Sequence, residues 1–169
     1  MEKVISIGKQ IGKQNFASLR ENHYFFVDKS HFIKDWWENG DEITLITRPR
    51  RFGKTLNMSM LDCFFSNKYA ARGDLFEGLG VWKEEKYREL QGKYPVIFLS
   101  FAAVKADQLS EAKIQIKQQI ARVYEENRYL LDGDLLSGNE KKAYNEVNLH
   151  MGDAEAAAAL NNMSMYLAR

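Results

Sequence analysis

Residues 43–66 constrain the fold more than any other part of the sequence, because three local patterns follow one another there. An apolar run at residues 43–46 favours a β-strand, a stretch containing Pro49 interrupts it, and apolar residues then recur at helical spacing. Gly53-Lys54-Thr55 lies between the two apolar patterns and matches the second half of the phosphate-loop motif G-x-x-x-x-G-K-[ST]. Arg48 stands where the motif has its first glycine, so the match is partial.

The residues of this loop have the chemistry that a bound triphosphate requires. Gly53 would allow the backbone to approach the phosphates, and the amides that open the following helix would face the anion. Lys54 can reach the β and γ oxygens, and the Thr55 hydroxyl can bind Mg²⁺. The predicted nucleotide-binding residues are Arg48, Arg50, Arg51, Phe52, Gly53, Lys54 and Thr55, with Thr55 as the metal ligand and with ATP and Mg²⁺ as cofactors.

Two other functions remain open at this point. The loop could hold a nucleotide or another phosphate compound without hydrolysing it, or the arginines could bind the backbone phosphates of a nucleic acid. The chain carries 24 basic and 23 acidic residues, so its bulk charge supports neither nucleic acid nor an anionic membrane as a partner. No catalytic residue is assigned.

The composition favours a protein of the cytoplasm. No stretch approaches the ~20 apolar residues that cross a bilayer, and the N-terminus lacks the apolar run of a secretion signal. The one cysteine, Cys63, has no partner for an internal disulfide, and its apolar neighbours predict a buried thiol. We therefore expect a cytoplasmic location.

Outside the loop, the periodicity predicts helices and one more strand. Residues 1–22 are expected to be irregular. A second strand is predicted at residues 96–101, because nearly continuous apolarity suits a strand that is covered on both faces. Helices are predicted at residues 30–39, 109–129, 140–150 and 153–169. This order of elements indicates an α/β fold of one domain, with a lead-in and helix at residues 1–40 and a partial P-loop domain at residues 41–169.

The loop also resembles that of a known family, the bacterial AAA-ATPase-like proteins, many of which carry a PD-(D/E)xK nuclease-like domain at the C-terminus. The segment Thr47-Arg48-Pro49-Arg50-Arg51-Phe52-Gly53-Lys54-Thr55 looks like the Walker A-type loop of that family, in which an arginine at the first-glycine position is usual. Residues 15–20, 24–30, 94–101 and 158–167 are similar to other segments of the family. The resemblance implies a P-loop NTPase-like parallel sheet with flanking helices that binds ATP.

The same resemblance implies an element that this sequence lacks. P-loop ATPases hold Mg²⁺ with an apolar strand that ends in Asp, the Walker B strand, and in the family this strand would follow residue 169. Residues 96–101 end without an acid, and Asp28 is better explained as an N-cap or a pocket edge than as a magnesium ligand. We therefore expect a fragment that binds nucleotide, hydrolyses it poorly or not at all, and self-associates or takes a partner that completes the sheet.

Overall fold

A computed structural model describes residues 14–47, 49 and 52–169. The chain divides into two compact units, Met1–Val96 and Ile97–Arg169, called the first and second unit below. The predicted domain boundary at residue 40 stays a prediction. Across the described part of the chain, no helix combines the length and the apolarity that a membrane crossing requires.

The described part of the first unit contains four helices and three 3₁₀ turns. The helices are α1 (Phe16–Glu21), α2 (His31–Asn39), α3 (Lys54–Phe65) and α4 (Glu85–Arg88), and the 3₁₀ turns are Asn67–Tyr69, Gly73–Phe76 and Gly80–Lys83. Gly40 ends α2 with a φ of 64°, as the glycine after a helical pattern predicts. The prediction that residues 1–22 are irregular was wrong for α1, because Asn15 caps a helix there by accepting a hydrogen bond from the Ser18 amide at 2.7 Å.

Aromatic rings form the core of the first unit. The Phe16 ring stacks on Phe76 with centroids 5.1 Å apart, and Phe64 meets Phe76 edge to face at 5.0 Å. All three side chains are fully buried, so their apolar area drives the packing of α1 and α3 around the turn Gly73–Phe76. Cys63 lies in the same core, as predicted, and its burial raises the pKa of the thiol to about 11.

The second unit is a set of three longer helices around a tyrosine-rich core. These are α5 (Leu109–Glu126), α6 (Gly138–Glu146) and α7 (Asp153–Leu167), with a 3₁₀ turn at Arg128–Leu131. The helices predicted in this region are therefore present, although all three end earlier than predicted. A capping box starts α6, in which Ser137 accepts from the Glu140 amide and the Glu140 side chain accepts from the Ser137 amide.

The predicted parallel sheet was wrong. Within residues 14–47, 49 and 52–169 no strand is present, and the isolated bridge from Ser66 to Tyr94 is the sole β-type pairing. The runs at 43–46 and 96–101 lack a neighbouring strand, and apolar patterning alone cannot supply the backbone partners that a strand needs. The side chains of Ile43 and Leu45 are 89% and 83% exposed, so the face on which a strand would place both of them is uncovered. The α/β fold class is replaced by a helical one.

Candidate functional site

The predicted phosphate loop leads directly into a helix. Lys54 is the first residue of α3 and Gly53 is its N-cap, so Gly53-Lys54-Thr55 has the position that the motif requires relative to the following helix. Phe52 is largely exposed just before it. The other predicted ligands, Arg48, Arg50 and Arg51, lie outside the described residues.

Gly53 has a backbone conformation that favours glycine. Its φ is 78°, which side chains with a Cβ rarely adopt. A Cβ built at this position would lie 3.6 Å from the Lys29 Nζ, which is an ordinary contact. The glycine is therefore explained by the left-handed turn into α3, and crowding by the protein itself contributes little.

The start of α3 is suited to an anion. The Asn57 amide donates to the Gly53 carbonyl at 2.8 Å and closes the first turn. The amides before it have no acceptor within the helix, because an α-helix leaves its first N–H groups without intrahelical partners. Gly53 has no side chain that could accept from them. These amides and the positive end of the helix dipole therefore favour a negatively charged group at this end of α3.

Two lysine side chains contact the backbone of the loop. The Lys54 Nζ donates to the Pro49 carbonyl at 3.4 Å, and the Lys29 Nζ donates to the Phe52 carbonyl, also at 3.4 Å. Both distances are at the outer limit for a hydrogen bond. The loop thus has a cationic group from α3 and another from the segment before α2.

Lys29 is a site residue that the sequence did not predict. It lies 23 residues before Phe52, and no local spacing pattern links the two. The one available signal was the polar triplet Asp28-Lys29-Ser30 at the end of an apolar run.

Asp28 is engaged in structural hydrogen bonds. Its Oδ1 accepts from the Ser30 amide at 2.8 Å, and its Oδ2 accepts from the Gly80 amide at 2.7 Å. Partial burial alone would raise the pKa of Asp28, but the hydrogen bonds from Ser30 and Gly80, with His31 nearby, outweigh it and lower the pKa. These contacts explain Asp28 without a metal ion.

The donor set for a metal at the loop is small. Thr55 is exposed in the first turn of α3 and offers one hydroxyl oxygen. In the part of the chain that the structure describes, no group of three or more His, Cys, Asp and Glu side chains is arranged to hold a metal ion. A magnesium ion at Thr55 would therefore need its other oxygen ligands from a bound phosphate chain and from water.

Comparison with known proteins places the chain in a family. The family described as "Predicted AAA-ATPase" matches residues 10–161, which is most of the sequence. The chain therefore belongs to the AAA-ATPase-like family.

One curated relative and the solved structures add limited information. An uncharacterized protein in the vnfD 5' region of Azotobacter chroococcum mcd 1 is 37% identical over 92 residues, which is 54% of this chain and 16% of that protein. This chain therefore spans a small part of the length of that relative. No solved structure matches the chain.

Proposed function

We propose that this chain binds ATP or another nucleoside triphosphate through residues 48–55. The observation that carries the proposal is the position of Gly53-Lys54-Thr55 at the start of α3, where the first amides of the helix lie and from which the Lys54 side chain reaches back to the Pro49 carbonyl. Membership of the AAA-ATPase-like family supports a triphosphate over other anions. Neither argument depends on the parallel sheet, which the structure contradicts.

Each residue of the loop has a separate task in this proposal. The amides at the start of α3 would donate to phosphate oxygens, and Lys54 would exchange its long bond to the Pro49 carbonyl for a phosphate oxygen. Thr55 would provide one ligand to Mg²⁺, which neutralises phosphate charge when it is bound. Arg48, Arg50 and Arg51 would add positive charge and bidentate contacts, as their sequence positions suggest.

We infer binding with little hydrolysis by the 169 residues alone. Phosphoryl transfer is accelerated mainly by positioning and by charge neutralisation, to which a metal-binding carboxylate contributes. Asp28 is the acidic residue beside Lys29, and both of its oxygens already accept backbone hydrogen bonds. A carboxylate held in this way is a poor candidate for orienting a metal ion or a water molecule.

The test is isothermal titration of Mg²⁺–ATP into the wild-type chain and into Lys54→Ala. We expect the substitution to weaken binding by about tenfold or more, since a hydrogen bond to a charged group contributes about 1.5–3 kcal/mol. Lys93→Ala is the matched control, because Lys93 is an exposed lysine of the same unit. Circular dichroism should show an unchanged helix content in both variants.

Two results would contradict the proposal. Equal affinity of the wild-type chain and Lys54→Ala for ATP would remove Lys54 from the site. Binding of duplex DNA that weakens steeply with salt and that ATP does not compete would favour a nucleic-acid site on the arginines instead.

A further inference from the structure

The triplet Asp28-Lys29-Ser30 is fixed on both sides of its lysine. Asp28 accepts from the Gly80 amide at 2.7 Å, and the buried Ser30 accepts through its Oγ from the Val81 amide at 3.0 Å. Both bonds join the triplet to the turn Gly80–Lys83, more than 50 residues further along the chain. The backbone of Lys29 is therefore held between two anchored residues.

The side chain of Lys29 extends to the phosphate loop. Its Nζ donates to the Phe52 carbonyl at 3.4 Å and lies 3.6 Å from the position of a Cβ built on Gly53. Gly53 is the residue at which the motif brings the backbone close to a phosphate chain. An ammonium group at this distance is within reach of a phosphate oxygen bound at the start of α3.

The charge of Lys29 has no acidic counterpart in the described part of the chain, where none of the ion pairs includes it. Its side chain is exposed, so holding the ammonium group at the loop costs little desolvation. A phosphate oxygen would be a stronger acceptor than the Phe52 carbonyl, since it carries a negative charge that attracts the ammonium group.

We propose that Lys29 is a second phosphate-binding lysine, which contacts the triphosphate from the segment before α2. This inference rests on the proposed function and adds a ligand that the motif does not contain. The competing role is that of a clamp, in which Lys29 only holds the loop through the Phe52 carbonyl. The two roles differ in whether the positive charge is needed.

Two substitutions of Lys29 separate these roles. Lys29→Gln retains an N–H donor for the Phe52 carbonyl and removes the charge, whereas Lys29→Arg retains the charge. We expect Lys29→Gln to weaken ATP binding by about tenfold and Lys29→Arg by about threefold or less, following the strength of charged hydrogen bonds. Tripolyphosphate, which has no nucleoside, should show the same loss. Lys93→Gln is the matched control and should bind both probes like the wild type.

The outcomes distinguish this inference from the proposed function. If Lys29→Gln binds ATP and tripolyphosphate like the wild type while Lys54→Ala is weakened, the inference is wrong and the proposed function stands. If Lys29→Arg loses as much affinity as Lys29→Gln, the charge is not what matters and the inference is again overturned. If neither Lys29→Gln nor Lys54→Ala changes the binding of ATP, both proposals are wrong.

Discussion

The two units use opposite hydrogen-bonding chemistry at buried backbone groups. In the first unit, serine oxygens accept from amides: Ser59 Oγ from the Phe16 amide and Ser30 Oγ from the Val81 amide, each at 3.0 Å. In the second unit, tyrosine hydroxyls donate to carbonyls, as Tyr144 does to the Tyr124 carbonyl at 2.6 Å. Serine side chains are short, so they bind a neighbouring backbone segment closely, whereas tyrosine reaches across from one helix to another.

One of the serine bonds lies beside the candidate site, because Ser30 follows Lys29, whose Nζ donates to the Phe52 carbonyl. The serine bonds of the first unit join segments 43 and 51 residues apart. One joins the start of α1 to α3, and the other joins the turn Gly80–Lys83 to Ser30, the residue before α2. Loops fixed on a scaffold in this way are where binding residues are commonly found. The second unit joins helix to helix and leaves no comparable loop around a helix start that carries a phosphate motif. The comparison predicts different responses to substitution in the two units.

The largest effect is expected from the aromatic core of the first unit. Phe64→Ala would remove a fully buried ring that contacts Phe65 and Phe76, and it should lower the free energy of unfolding by about 3–5 kcal/mol. The three tryptophans, Trp36, Trp37 and Trp82, all belong to the first unit, so urea unfolding followed by tryptophan fluorescence reports on it.

The control for this prediction is Phe25→Ala, which removes the same ring from a position of the first unit that is 55% exposed. We expect this change to cost less than about 1 kcal/mol, as most substitutions of exposed residues do. If the two variants were equally destabilised, the buried aromatic cluster would not be the main source of stability in the first unit.

A smaller loss of stability is expected when a serine bond of the first unit or a tyrosine bond of the second unit is removed. Ser30→Ala would leave the buried Val81 amide without its acceptor, at a cost of about 1–3 kcal/mol. Tyr144→Phe removes a hydroxyl from the Tyr124 carbonyl, which still accepts from the Asn127 amide at 3.1 Å. We therefore expect a cost of about 1 kcal/mol or less for the tyrosine.

Ser30→Ala and Tyr144→Phe lie in different units, so each variant needs a measurement that reports on its own unit. Tryptophan fluorescence reports on Ser30→Ala, and hydrogen exchange at the amides of α5 and α7 reports on Tyr144→Phe. Ser30→Ala should also weaken ATP binding, because it frees one of the anchors beside Lys29. If Tyr144→Phe lost more free energy of unfolding than Ser30→Ala, the tyrosine bond of the second unit would be the more stabilising of the two, contrary to this prediction.

Local patterns allowed the longer helices of both units to be predicted from the sequence, whereas α1 was missed. The helical spacing and the following Gly40 were enough to predict α2, and the spacing after Gly53 was enough to predict α3. The predicted strands failed for a different reason. A strand depends on a partner elsewhere in the chain, and the runs at 43–46 and 96–101 have none among the described residues.

For the candidate site, too, the sequence predicted the residues that are neighbours in the chain and missed the one that is distant. Gly53, Lys54 and Thr55 are adjacent in sequence, so the motif alone placed them at the start of α3. Lys29 reaches the loop only because Asp28 and Ser30 are anchored to a turn more than 50 residues away. Contacts of this range depend on the folded chain, and the sequence offers no spacing rule from which to derive them.

The smallest effect is expected from an acidic group at the surface of the second unit. Hydrogen bonds from Arg169, and then from Ser137, lower the pKa of Glu140 from 4.5 to about 2. A carboxylate with a lowered pKa stabilises the folded state above its unfolded pKa, and this contribution is lost as the pH falls through the folded value. Glu140 should therefore stabilise α6 at neutral pH and progressively less between about pH 4.5 and about pH 2.

Glu140→Gln tests this pH dependence, because it removes the titrating group but retains an acceptor oxygen for the Ser137 amide. Thermal unfolding followed by circular dichroism should give a higher melting temperature for the wild type than for the variant at about pH 6. This difference in melting temperature should shrink as the pH approaches 2. Glu146→Gln is the control in the same helix, since Glu146 is exposed and takes part in none of the ion pairs of the described residues. A difference between wild type and Glu140→Gln that stays constant with pH would show that the charge of Glu140 does not stabilise α6. The contact with Arg169 would then act through packing alone.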